Sequence, residues 1–224
     1  MCYSFESSFN NWFLILVLSA CLIVNDRGNE IANKIDIWIA LFTLTFGQIQ
    51  IVEAMIWNEL SKPNLDKKKI SQLVSYIPIL LAAQPLVQSL GAYYVTKDIN
   101  MLYLSFIYFV ILLYQQYTSF NIDSFDAVKG ENGHLVWIRY DSKGEKINIF
   151  GNSIFGLLYI IGLFLPLFFM PDTIMKYSLL AYGIASLIFS RYYSGKEFSS
   201  YWCYIAIFYG VIALAISGLF DYTQ

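Results

Sequence analysis

Residues 37–58 read IWIALFTLTFGQIQIVEAMIWN: sixteen uncharged positions, one acid at Glu53, then five more uncharged positions. A membrane-crossing helix needs about 20 consecutive, mostly apolar residues, and this stretch has that length with a single charge. Backbone N–H and C=O groups in lipid must pair within their own segment, so a helix is the form it takes. Thr43, Gly47, Gln50, Glu53 and Trp57 follow one another at steps of four, three, three and four, and therefore share one helical face. A polar stripe on a membrane helix belongs toward the bundle interior or a water-filled cavity.

Six further runs lack Asp, Glu, Lys and Arg: residues 7–25, 70–96, 99–122, 147–171, 177–190 and 198–220. The run 177–190 is short, but Lys176 and Arg191 at its ends can snorkel to the interfaces. The chain of 224 residues is 58% hydrophobic and only 13% charged, against about 25% charged in soluble domains, so lipid or partner chains must cover its surface. The expected architecture is a single all-α integral membrane domain over residues 1–224, a seven-transmembrane-helix bundle. Its spans are 8–25, 36–58, 70–95, 100–120, 151–170, 173–192 and 198–220, with a soluble loop at 121–150 between helices four and five. Trp12, Trp38, Trp57, Tyr93, Tyr94, Tyr114, Tyr117, Tyr192 and Trp202 fall near span ends, as aromatic belts do. Pro78, Pro85 and Pro166 lie inside spans, where each removes a helical hydrogen bond.

The loop contains a predicted β-hairpin. Residues 134–140 and 145–150, rich in β-branched and aromatic side chains, flank the turn Asp141-Ser-Lys-Gly144. A lone hairpin is marginal in water, so it is expected to lie against the helices or a protein partner at residues 119–150. Basic residues set the orientation: ten lie on the side of the N-terminus and loops two, four and six, four on the other. The positive-inside rule places the N-terminus in the cytoplasm and the C-terminus opposite. Leu18-Ser-Ala-Cys21 matches a lipoprotein cleavage box, but the apolar run continues past it and reads as a first membrane helix.

Glu53 is the one acid well inside a predicted span, and a mid-membrane charge costs roughly 2.5–3.5 kcal/mol. Gln84 and Gln88, one turn apart beside Pro85, are expected to join Gln50, Glu53 and Trp57 in a polar cluster on spans two and three. Such a cluster is either a site for a small polar solute or ion, or an interhelical clamp. In the last span Ala206, Gly210, Ala213 and Ser217 form a small-residue face that admits a close helix neighbour. Three scattered cysteines and one histidine leave no metal-ligand pattern, no cofactor is expected, and a net charge of -2 gives no footprint for nucleic acid. One intramembrane carboxylate falls short of the acid pairs of glycosidases or aspartyl proteases, so an intramembrane enzyme ranks below the other readings.

Short motifs along the chain resemble an uncharacterised group of multi-span membrane proteins from large DNA viruses of algae and protists. They are Gln50-x-x-Glu53-x-x-x-Trp57, Asn64, Gln84-Pro85, Gly133-His134-Leu135-Val136-Trp137 and Trp202-Cys203. The resemblance implies a viral origin, a virion or host membrane, and the importance of these residues; it implies no activity. The sequence thus leaves two main expectations: binding or movement of a small polar solute or ion, and a structural role in a virion or virus-modified membrane.

Overall fold

A computed structural model describes residues 4–121, 124–150, 153–195 and 198–219. Cys2, Lys196, Phe220 and the first two residues of the fifth predicted span lie outside the described residues. Helix α1 covers Phe5–Val24, α2 Glu30–Leu60, α3 Lys67–Thr96 and α4 Ile99–Asn121. Strands β1 (Ser124–Lys129), β2 (Leu135–Tyr140) and β3 (Lys146–Ile147) follow. Then come α5 (Ser153–Phe164), a 3-10 stretch at Leu165–Phe169, α6 (Thr173–Ser194), α7 (Phe198–Ile205) and α8 (Phe208–Leu219). The helix starts are set by side chains: Ser4, Asn29, Asp66 and Asp172 each accept a hydrogen bond from a first-turn N–H.

Among the described residues, six helices are long and apolar enough to cross a membrane, as a multi-pass membrane protein requires: α1, α2, α3, α4, α6, and α7 with α8 taken together. The fifth predicted span, 151–170, corresponds to a shorter apolar helix, Ser153–Phe169. Pro166 coincides there with a change from α to 3-10 winding, which rises about 2.0 Å per residue instead of about 1.5 Å. By contrast, α3 runs as one helix through Pro78 and Pro85.

The last predicted span is also not continuous, although no proline interrupts it. The Tyr182 hydroxyl donates to the Ile205 carbonyl at 2.5 Å and the Asn11 amide donates to the Tyr204 carbonyl at 3.3 Å. Side chains from α6 and α1 thus occupy two successive carbonyls of the ladder, and the chain passes through a tight turn at Ala206-Ile207 before α8 resumes.

Sequential helices pack as neighbours, α1 on α2, α2 on α3 and α3 on α4. Helix α2 is the most enclosed of the apolar spans, and glycines allow its close contacts. A Cβ on Gly91 would fall 1.9 Å from Trp38 Cδ1, and one on Gly47 would fall 2.5 Å from Ile15 Cγ2.

The predicted hairpin is present but belongs to a three-stranded antiparallel sheet, ordered β1-β2-β3. Strand β1 pairs along its whole length, from Ser124 opposite Tyr140 to Lys129 opposite Leu135, whereas β3 contributes only two residues. The Asp141 carboxylate accepts from the N–H groups of Lys143 and Glu145, and Gly144 takes a φ of 80° to complete the turn. The sheet rests on the helices: Phe125 N–H donates to Ser71 of α3 at 3.2 Å, and buried His134 packs edge-on against Tyr201 of α7. The sheet therefore marks one end of the bundle, where α3 and α7 begin and α2 ends. Residues 171–174, beyond the 3-10 stretch, share a pocket with Asn29, Ile31, Ala32 and Ile35 at the start of α2, the opposite end.

Candidate functional site

The α2 stripe faces inward. Thr43, Gln50 and Glu53 are buried, Gly47 lies under Ile15, and Trp57 is nearly buried. Gln50 Nε2 donates to Glu53 Oε2 at 3.2 Å, one turn apart, so the stripe supplies its own first contact. The buried Cys203 thiol of α7 lies within electrostatic reach of Glu53.

The two glutamines of α3 are buried, but each turns to a different partner. The Tyr159 hydroxyl of α5 donates to Gln84 Oε1 at 2.5 Å, and Gln84 Nε2 has no hydrogen-bond partner among the described residues. Gln88 accepts from Trp38 Nε1 at 2.8 Å and donates to the Leu163 carbonyl at 3.0 Å. The predicted cluster is therefore three polar units rather than one: Gln50 with Glu53, Gln84 with Tyr159, and Gln88 tying α2 to α5. The Trp57 indole N–H has no partner among the described residues.

A cavity of about 300 Å3 lies between the β3–α5 connection, α5 and α7. Tyr159, Cys203, Trp202 and Leu81 line it, with Asn148, Ser153 and Ser199 adding polar groups. It touches the Gln84 unit through Tyr159 and the Glu53 unit through Cys203, and it lies toward the sheet end of the bundle. A solute in this cavity would meet the Tyr159 phenol, backed by the Gln84 amide, and the Cys203 thiol, in an aromatic frame.

Buried charged groups also escaped the sequence reading, which treated charges as span boundaries; Asp36 and Arg139 are the most extensively bonded of them. Asp36 has no solvent exposure and accepts from Arg27, through Nε at 2.8 Å and through Nη2, and from Asn25 at 2.9 Å. Ser217 accepts from Arg27 and donates to Asp36 at 3.2 Å. Arg139, counted among the loop cations, is buried: it donates to Gln115 at 3.1 Å, Thr118 at 3.0 Å and the Ile149 carbonyl at 3.1 Å, and stacks over Phe125. An arginine inside the otherwise apolar strand Leu135–Tyr140 was the available signal.

In the small-residue face, Ala206 and Ala213 are buried. A Cβ on Gly210 would sit 3.4 Å from Thr43 Cγ2 and 3.5 Å from Leu18 Cβ, so α8 approaches both α1 and α2 there. Ser217 joins the Asp36 group rather than serving only as a small residue. Among the described residues, no group of three or more His, Cys, Asp or Glu side chains could hold a metal ion.

Compared with protein-family models, curated proteins and solved structures, the chain matches none. Its function has to be argued from its own residues.

Proposed function

We propose that the chain is a seven-span membrane protein that binds, and in doing so can pass, a small polar solute or ion at the Glu53–Gln50 pair. The observation that carries this reading is the cavity whose wall includes Cys203 and Tyr159, the two neighbours of the Glu53 and Gln84 units. The seventh crossing is supported by the position of Ser153–Phe169. It starts beside the sheet and leads to residues at the start of α2, and twelve α plus five 3-10 residues rise about 28 Å. A hydrocarbon core is about 30 Å thick. The sheet end carries most of the basic residues, even with Arg139 buried, so the positive-inside rule puts it in the cytoplasm. The cavity then opens toward the cytoplasmic side.

Proteoliposomes test this, with proton and alkali-cation flux read by entrapped dyes and small neutral solutes read by uptake. Glu53→Gln keeps the size and the hydrogen bond from Gln50 but cannot titrate. The expected result is a parent flux that depends on pH and is lost in Glu53→Gln at unchanged thermal stability. A parent that moves and binds none of these probes, together with a Glu53→Leu variant that loses only stability, overturns the proposal. That outcome favours the second reading, a structural protein of a virion or virus-modified membrane. Gln88 gives that reading its own support, because its amide holds Trp38 of α2 and the Leu163 carbonyl of α5 as a clamp.

A further inference from the structure

An apolar hollow between two spans lies far from the Glu53 cavity. It has a volume of about 510 Å3 and runs along the outer side of the α2–α3 seam. Trp38 and Gly91 form its floor, and Leu41, Leu44, Val87 and Leu90 form its walls. The two polar residues in the lining make no demand on an occupant. Thr45 Oγ1 donates to the Leu41 carbonyl at 2.7 Å, and Gln48 Nε2 donates to the Leu44 carbonyl at 3.3 Å. With those donations made on the helix itself, the groove between its ends offers mainly hydrocarbon contact.

Its dimensions select the occupant. From Ile37 to Gln48 the groove follows α2 for ~16 Å, about half of a hydrocarbon core of about 30 Å, which is one leaflet. That volume over that length gives a mean cross-section of ~30 Å2, whereas a helix about 10 Å across needs ~80 Å2. A single acyl chain fits that length and cross-section.

The mouth supplies the matching headgroup chemistry. Tyr94 closes the end of the groove, and Lys97 Nζ lies over the rings of Tyr93 and Tyr94, 5.6 and 5.2 Å from their centres. Lys34 lies over the Tyr94 ring and is ion-paired with Glu30. Asp98 caps the Asn100 N–H; Lys97 lies within electrostatic reach of Glu30 but, among the described residues, forms no ion pair within 4.0 Å. We infer that this groove is a binding site for one anionic phospholipid, an acyl chain along Trp38 and Gly91 and its phosphodiester at Lys97 and the Tyr94 hydroxyl. The site lies at the end of the bundle away from the sheet and does not depend on the role of Glu53.

The test uses the full chain reconstituted in vesicles of phosphatidylglycerol and phosphatidylcholine, extracted into mild detergent and examined by native mass spectrometry. The expected result is one phosphatidylglycerol retained per chain, in preference to phosphatidylcholine. Leu41→Trp and Leu90→Trp, at exposed positions on the two walls, should each abolish retention with the melting temperature unchanged. Lys97→Gln should weaken the preference for phosphatidylglycerol about fivefold. Retention that survives both tryptophan variants overturns the site. Equal retention of the two lipids overturns the headgroup assignment. A parent dimer that both tryptophan variants convert to monomer shows that a second copy fills the groove instead.

Discussion

Helix α2 carries two carboxylates without solvent exposure, Asp36 and Glu53, about 25 Å apart along its axis. Their surroundings differ. Asp36 receives a guanidinium through two nitrogens, an amide and a hydroxyl. Glu53 accepts from the amide of Gln50, and Cys203, which lines a cavity, lies within its electrostatic reach. In an enclosed ion pair, removing either charge leaves the other stranded in a poor solvent. One helix thus places one carboxyl in an ion-pair knot and the other near a cavity wall.

The contrast breaks most visibly at Asp36. Asp36→Ala strands the Arg27 guanidinium, whose side chain is 5% exposed, and should cost about 3–5 kcal/mol, seen as loss of folded protein in detergent melting. If the variant melts like the parent, the knot is not a structural element and the comparison fails. Ser217→Ala keeps the ion pair but removes a hydroxyl bonded to both charges. A loss of about 1.5–3 kcal/mol is expected for bonds to charged groups, from chemical unfolding in mixed micelles. Gln88→Leu removes two neutral bonds, to Trp38 and Leu163. At about 0.6 kcal/mol per bond in a membrane bundle, it should lower stability by about 1 kcal/mol, and that value calibrates a neutral clamp. Glu53→Gln should change stability by less than about 0.5 kcal/mol, since Gln50 keeps an acceptor. A loss as large as that of Asp36→Ala would make Glu53 a second structural knot.

The helices and the stripe were legible because each rests on a local rule: absence of charge over a span's length, and recurrence at helical spacing. Gln50 and Glu53 were placed together correctly because i and i+3 on one helix face meet regardless of the rest of the fold. The partners of Gln84 and Gln88 were not legible, because Tyr159 and Leu163 approach from α5, 75 residues later. Strand β1 was missed because Ser124–Lys129 carries an acid and a lysine and becomes a strand only against β2. The break at Ala206-Ile207 had no proline or glycine to announce it; it arises from donors on α1 and α6 that no reading of residues 198–220 alone contains.

The Ser217 hydroxyl also gives the molecule a sense of time. Arg27 and Asp36 are nine residues apart and can meet as soon as the first two helices are made. The hydroxyl that seals their pair comes 181 residues after Asp36, a wait of about 10–40 s at ~5–20 residues per second of synthesis. Until α8 is made, the charged pair lacks the hydroxyl that bonds both of its members. Ser217 thus ties the first helical hairpin to a helix made much later in synthesis.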